Sequence, residues 1–581
     1  MENQYEVVWP LGKLGMKKGS LAPRLDNLEG KTILELSHYS YRGDDIFPVL
    51  REALKKRYKN ITVIDYDQWG NFRDYRKYGV EYEKYEGLAD LLKKDKVDAV
   101  VIGIAACGAC TPAVVRMAAA IEKCGIPTAS IVISGFLAQG KLVGKSQGLP
   151  NINIAEYPGT MMTDTMEQLT DKVNNVLTDN VVKCWTTLQD IPVEKEAAVN
   201  EPNMRDIVFS GDLIQVNDHY YDQLWTDGLP IIPPTIREVE KFLTYTGRKP
   251  EEVVAVLQHE NREATIWNIA VNGVMAGCKP EYMPILIAIV EAISEPRFRV
   301  YDFGITPGTE PLIILSGPII KDLDFNYGQG VMRLGRRPNS SVARFLKIFM
   351  RNICGFRLPP GAGDKGSIGQ NFNVVLAENE GVVKEMGWKP YSVDQGFSEN
   401  DNIVTVTSST AMSYPLYSAG STAIEHLETL AEIAGRKFWA VFSTFAVHCL
   451  EYYPLLMIAP PVAKILAKDG YTKDAIKEYF FKNVRVSAAW IEKYVFDFHG
   501  VYLNMNEKVK QGMLPPEYGE SEDPQRMVKF VPEPKSIQIV VAGDPDRNQS
   551  KAFFSNGYIG VPTSKKIILP GDWQKRLKEN S

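Results

Sequence analysis

A chain of 581 residues is longer than one hydrophobic core organises, so several domains are expected. Its 45% hydrophobic and 24% charged residues, with a mean hydropathy of −0.18, have the balance of a soluble globular protein. A net charge of −5 without any basic block argues against binding to nucleic acid or an anionic membrane.

The start, Met1-Glu-Asn-Gln-Tyr-Glu, has neither the basic nor the apolar region of an export signal. The longest apolar stretch, Phe438 to Ala467, is interrupted by His448, Glu451, Pro454, Pro460 and Pro461, and reads as buried helices rather than a membrane span. Seven cysteines in so long a chain do not form a disulfide scaffold. They are expected to be reduced thiols in the cytoplasm.

The first third alternates strands and helices. Strands are expected from Lys31, from Ile61, over the apolar run Val97 to Ala105, and from Thr128. Helical periodicity covers Asp45 to Tyr58, Tyr85 to Lys94, Pro112 to Cys124 and Thr163 to Leu177. This order predicts an α/β domain over 1–190 with a doubly wound parallel sheet. The polar, aperiodic stretch 191–206 reads as a linker. Residues 207–581 are expected to form a larger α+β domain. Its helices are Ile236–Thr246, Pro280–Ile293, Ser341–Asn352 and Thr422–Ala434, and its strands Pro311–Leu315, Asn371–Leu376, Asn402–Ser408 and Ile537–Val541.

The chemistry concentrates at Ile102-Gly-Ile-Ala-Ala-Cys107-Gly-Ala-Cys110-Thr-Pro-Ala. Thr111 suits an N-cap and Pro112 a first helical position, which places Cys107 on the strand-to-helix turn. Ligands of open α/β sheets bind outside the carboxyl ends of strands. A helix N-terminus favours a thiolate, and two intervening residues permit a reversible disulfide. The competing accounts are half of a zinc site and two merely buried cysteines. No second Cys-x-x-Cys and no Cys-x-x-His completes a zinc site, so no metal is expected.

Cys107-Gly-Ala-Cys110, the helix that follows and Glu122-Lys-Cys-Gly-Ile-Pro127 together resemble the UGSC family and the selenocysteine-containing B component of glycine reductase. The stretch from Leu34 to Arg57-Tyr58 is similar as well. The resemblance implies that Cys107 occupies the selenocysteine position as nucleophile, with Cys110 assisting or resolving. It implies reductase or lyase chemistry at a carbon–heteroatom bond. Where the family has a His-Pro-Leu turn this chain has Glu156-Tyr-Pro-Gly, so no histidine role carries over and Glu156 is a substrate-binding candidate. The rest of the chain resembles the segment fused to UGSC domains in bacterial proteins, through Asp227-Gly-Leu-Pro, Ala270-Val-Asn-Gly to Tyr282, and Ala377-Glu-Asn-Glu380.

Further candidates come from the residues themselves. Cys278, in a region of small residues, is a possible third thiol or a small buried hydrophobe. Asn272 and Glu281 flank it as substrate-binding candidates. Arg333, Asn339 and Arg344, ahead of a helix, suit an anion such as a carboxylate, or form a solvated cluster. Glu378 is a candidate acid or base at a strand end, with Asn379 and Glu380 as binding candidates; a surface turn is the competing account. His38 follows the first strand and is a candidate base. No phosphate loop or dinucleotide fingerprint occurs: Gly361-Ala-Gly-Asp-Lys-Gly fits neither, and no cofactor is expected. The expected partners are a small electrophilic substrate and a thiol or thioredoxin-like donor, and a homo-oligomer is compatible. Thiol–disulfide exchange through Cys107 and Cys110 is the alternative activity.

Overall fold

The computed structural model describes residues 4–15, 19–75, 77–187, 201–303, 309–357, 372–448, 451–555 and 560–579. The glycine-rich stretch from Gly361 and most of the expected linker lie outside them.

Strand β1 (Tyr5–Val8) stands apart from the first sheet. That sheet is formed by β2 (Thr32–Ser37), β3 (Thr62–Ile64), β4 (Ala99–Ala105), β5 (Thr128–Ile133) and β6 (Ile154–Tyr157). All pairings are parallel and the order is β3-β2-β4-β5-β6. Successive side chains face opposite sides of a strand, and the core divides accordingly. Ile33, Val101, Ile131 and Ala155 pack with Phe47 and Leu50 of the helix Gly43–Arg57 and with Leu169, Leu177 and Trp185. Leu34, Ile102 and Val132 pack on the other side with Leu92, Val114, Met117 and Val143. Helices on both faces explain why β4 is apolar along its whole length.

The domain is therefore a doubly wound α/β unit, with two elements the periodicity does not reveal. One is β6. The other is the helix Leu137–Ser146, whose glycines lower its propensity. Those glycines serve packing: a Cβ on Gly144 would lie 2.3 Å from Ile152 Cγ2, and one on Gly140 would lie 2.8 Å from Ile154 Cδ1. The last helix also runs past Leu177, through a π turn at Val173–Leu177 into Thr178–Thr186.

Beyond it, β7 (Ile207–Gly211) pairs antiparallel with β1. The amino-terminal arm belongs spatially to the second domain, because Asn268 donates to Leu11 O and Asn272 to Pro10 O, each at 3.0 Å. Glu201, within the expected linker, accepts from Leu14 N at 3.1 Å and pairs with Arg262 at 2.8 Å.

The second domain carries a small hairpin, β8 (Val253–Leu257) with β9 (Arg262–Thr265), and a large mixed sheet. The sheet strands are β10 (Glu310–Ser316), β11 (Leu376–Ala377), β12 (Ile403–Met412), β13 (Leu416–Tyr417), β14 (Leu455–Ile458), then, past the separate pair β15 (Arg485–Ser487) and β16 (Met527–Lys529), β17 (Gln538–Val541), β18 (Gln549–Ser555) and β19 (Thr563–Lys566). Their path is β11-β10-β12-β18-β14-β17, with β13 on β18 and β19 on β12. The helices Ile266–Met275 and Met283–Ile293 are buried along almost their whole length and cover Ile313, Leu315, Val404 and Val406. Alternation of sheet and helix without a parallel repeat makes this a larger α+β domain. Of the strand expected over Asn371–Leu376, Asn371 lies outside the described residues and strand begins at Leu376 in β11; the helix expected from Pro280 begins with a 3-10 turn, Pro280–Tyr282.

Candidate active site

In the first sheet the order of strands reverses between β2, the first in sequence, and β4, the third. A crevice opens outside the carboxyl ends of two strands at such a switch point. His38 leaves the end of β2 and Cys107 the end of β4, so both stand at that crevice.

The turn after β4 differs from expectation in one respect. The helix is Cys110–Lys123, so Thr111 is not its N-cap. Thr111 instead turns its amide and hydroxyl back to Cys107 O, at 3.1 and 2.9 Å. Pro112 falls in the first turn, where a missing N–H costs nothing. No side-chain oxygen caps this helix. The Cys107 sulfur takes that place, accepting the Cys110 N–H at 3.2 Å. A sulfur that caps a helix lies at the positive end of its dipole.

The second sulfur, Cys110 Sγ, stands 2.7 Å from Cys107 Sγ. The Tyr41 side chain, from the loop after β2, also hydrogen-bonds the Cys107 sulfur. Burial alone would raise the Cys107 pKa. Hydrogen bonds from the Cys110 thiol, Tyr41 and the amides of Cys110 and Ala109 outweigh it and bring the thiol down to about 7. The other thiols go the opposite way: burial pushes Cys184 and Cys278 up to about 12, and raises Cys354 and Cys124 too. Cys107 is 6% exposed, so the activated sulfur faces an interior rather than open solvent.

Neighbouring groups hold this geometry. His38 Nε2 lies 2.9 Å from Ile104 O, which places its proton on Nε2, and its ring meets Tyr41 and Phe72 edge-on. Gln139 donates to Gly108 O at 3.0 Å and fixes the turn. Cys107, Ala109 and Cys110 are part of the apolar core that also contains Trp267, Phe298 and Phe303 of the second domain. The second domain thus closes the crevice.

Further down the same helix, the domain interface is charged. Arg73 pairs with Asp302; Arg116 pairs with Glu83 at 2.9 Å and faces Asp302 at 3.6 Å. Glu81 meets Arg299 at 3.5 Å and accepts from the Tyr301 hydroxyl at 2.9 Å. Burial pushes Asp302 and Glu83 up. Glu81, which burial would also raise, is held at about 2 by Arg299, Arg73 and Arg116. His259, buried beside Arg116, is lowered to about 4 and stays neutral near pH 7.

The other expected site residues are dispersed. Asn272 is fully buried, bonding Pro10 O and Asn268 O and accepting from Asn352 at 2.8 Å, so its amide holds the amino-terminal arm. Asn339 likewise ties Asn326 and Val375 together. Arg344 grips Asp227 through two bonds of 2.9 and 2.8 Å, and Arg333 is exposed. Glu281 pairs with Lys279 at 3.3 Å, and Glu156 accepts from the Ser134 hydroxyl at 2.5 Å. Cys278 lies in the second domain's core, hydrogen-bonded to Ser341. Asn379 caps the helix Glu380–Glu385. Glu378 is buried against Lys473 at 3.1 Å, while Glu380 accepts from Ser316 at 2.9 Å. Glu378 and Glu380 line a cavity of roughly 170 Å³ whose walls come from the second domain alone. Among the described residues, no cluster of three or more His, Cys, Asp or Glu is arranged to hold a metal ion, and no helix is long and apolar enough to cross a membrane.

Residues 6–187 match the model of the UGSC family. The match covers about a third of the chain, the doubly wound domain and the arm before it. The match spans β1 to the last helix of the doubly wound sheet, and so includes His38, Tyr41, Cys107, Cys110 and Arg116. No curated protein and no solved structure matches the chain. Tyr41 and Gln139 are absent from the residues singled out by sequence. Tyr41 had a readable signal, since it follows His38 in the loop after a strand that ends at the same sheet edge as β4.

Proposed function

We propose that the protein is a thiol-dependent enzyme in which Cys107 attacks an electrophilic small molecule at the crevice of the UGSC domain. The observation that carries this reading is the Cys107 sulfur capping a helix, with Cys110 Sγ at 2.7 Å. At pH 7 a thiol of pKa about 7 is half ionised, against a few per cent for an ordinary cysteine. Attack forms a sulfur–carbon bond, and the electron pair of the broken carbon–heteroatom bond leaves with the heteroatom. The Cys110 thiolate then attacks the Cys107 sulfur, which forms the disulfide and releases the carbon fragment to take up a proton. The sum converts R–X and two thiols into R–H, HX and a disulfide, and an external dithiol restores the pair. This parallels the resemblance to the glycine reductase B component. Reduced thiols of this kind suit the cytoplasm.

Thiol–disulfide exchange with a partner protein is a second reading, favoured by the sulfur separation alone. The depth of Cys107 favours the small molecule. Treatment of the full chain with a small haloacetamide at pH 7, followed by peptide mass spectrometry, tests the proposal. Cys107 is expected to be alkylated at least about fiftyfold faster than the exposed Cys124, from their thiolate fractions at pH 7. Labelling of Cys124 ahead of Cys107 would sink the nucleophile assignment.

A further inference from the structure

The loop that follows β2 has an unusual backbone. Tyr39, Tyr41 and Arg42 adopt left-handed conformations, with φ of 53°, 57° and 58°. A non-glycine residue held there is strained and persists only where its surroundings dictate it. Two sets of contacts do so. Within the UGSC domain, the Arg42 guanidinium binds Asp45 at 2.7 Å, Met161 O at 2.9 Å and Asp164 O at 2.6 Å. From the second domain, the end of the helix Ala488–His499 lies directly over the loop: Tyr41 N donates to His499 O at 2.5 Å and Arg42 N to Gly500 O at 2.9 Å.

Gly500 is the close-contact point. It sits at φ +63°, and a Cβ there would lie 2.9 Å from Arg42 N, 3.0 Å from Tyr41 Cα and 2.8 Å from Met162 Sδ. Two of those three atoms are backbone or at a backbone carbon and cannot swing away. The phenol held by this loop hydrogen-bonds the Cys107 sulfur, and the Tyr41 ring packs against the core containing Cys107.

Resting on the nucleophile reading above, we infer that Tyr41 is the side-chain donor from outside the Cys-Gly-Ala-Cys turn that holds Cys107 as a thiolate, and that docking of His499–Gly500 delivers it. The second domain is then a switch for the sulfur as well as a cover. In the docked state the phenol O–H donates to the thiolate, a charge-assisted bond that favours the ionised form. With the helix end displaced, the loop loses two backbone acceptors and the sulfur keeps only the Cys110 and Ala109 contacts. The titratable groups around the sulfur are Cys110 on its own helix, Tyr41 and His38 on the β2 loop, and His499 on the docking helix. Arg116 and Asp302 lie further along the interface.

The test is a pH titration of Cys107 ionisation in the full chain, by ultraviolet thiolate absorbance relative to Cys107→Ser, for wild type, Tyr41→Phe and Gly500→Ala. Tyr41→Phe keeps the ring and removes the donor. It is expected to raise the Cys107 pKa by about one unit, and so to cut the thiolate fraction at pH 7 about fivefold. Gly500→Ala, which leaves Tyr41 present and the site unaltered in composition, is expected to give a shift of the same sign. The double variant is expected to add little to Tyr41→Phe, because both act through one contact. A Tyr41→Phe titration that overlays wild type overturns the role of Tyr41. A shift in Tyr41→Phe with none in Gly500→Ala overturns delivery by the second domain. Should Tyr41→Phe fail to fold, an unshifted Gly500→Ala still overturns the inference. If the wild type itself titrates like an ordinary thiol, the nucleophile reading fails first, and the inference falls with it.

Discussion

Cys107 is buried, and burial opposes ionisation; its acidity therefore measures how much hydrogen bonding the turn concentrates on one atom. A pKa near 7 in the folded protein, against 9.0 as the ordinary value, also couples ionisation to folding. The sign follows from the direction of the shift. Below pH 7 the thiol is protonated whether the chain is folded or not, and contributes nothing. Between pH 7 and 9 only the folded state releases the proton, so stability rises with pH. Above 9 the contribution is complete, on the order of 2–3 kcal/mol for two units. Cys107→Ser is therefore expected to match wild type more closely at pH 6 than at pH 9 in chemical denaturation, the gap opening across that window. A gap independent of pH would show that the sulfur is not depressed. The placement of this turn was readable in the sequence, because an apolar strand runs directly into the Cys-x-x-Cys and a periodic apolar helix follows it. Asn272, Asn339, Arg344 and Glu378 were misleading for a physical reason. A polar residue among small or apolar ones must find a partner when buried, and the pattern is the same whether that partner is a ligand or a backbone carbonyl.

The elements that position the sulfur were legible to different degrees. β2, β4 and the helix Cys110–Lys123 carry continuous or periodic apolar patterns, and their order made the parallel sheet predictable. β6 alternates over four residues only, and the helix Leu137–Ser146 is diluted by glycines selected for close approach, so both escaped. The charged interface was invisible because its members, Arg73, Glu81, Arg116, Arg299 and Asp302, are far apart in sequence and individually unremarkable. Its arginines and carboxylates are buried, so removing one partner strands the others. Asp302→Ala, which leaves Arg73 and Arg116 without their shared carboxylate, is expected to cost about 3–5 kcal/mol in urea unfolding. A cost below about 1 kcal/mol would mean that the cluster does not bind the domains together.

At the scale of the whole molecule, a UGSC domain with its crevice at the β2/β4 switch point is closed by a larger domain. The amino-terminal arm crosses to that second domain through β1 and β7, and the Tyr75 hydroxyl donates to Glu451 and accepts from Arg297. The division into an α/β unit and a larger α+β unit was legible from the change of pattern after the last helix. The reach of the arm was not, because a short extended segment carries no signal for the distant strand it pairs with. Burial and hydrogen bonding come from different sides: the second domain packs over the sulfur, and the first domain's Cys110, Tyr41 and Ala109 supply the donors. The most direct measurement is the Cys107 titration in the intact chain, read as thiolate absorbance of wild type minus Cys107→Ser. The account predicts a single transition centred near pH 7, within about a unit. A transition at pH 8.5 or above would contradict it, because the turn would then hold an ordinary thiol.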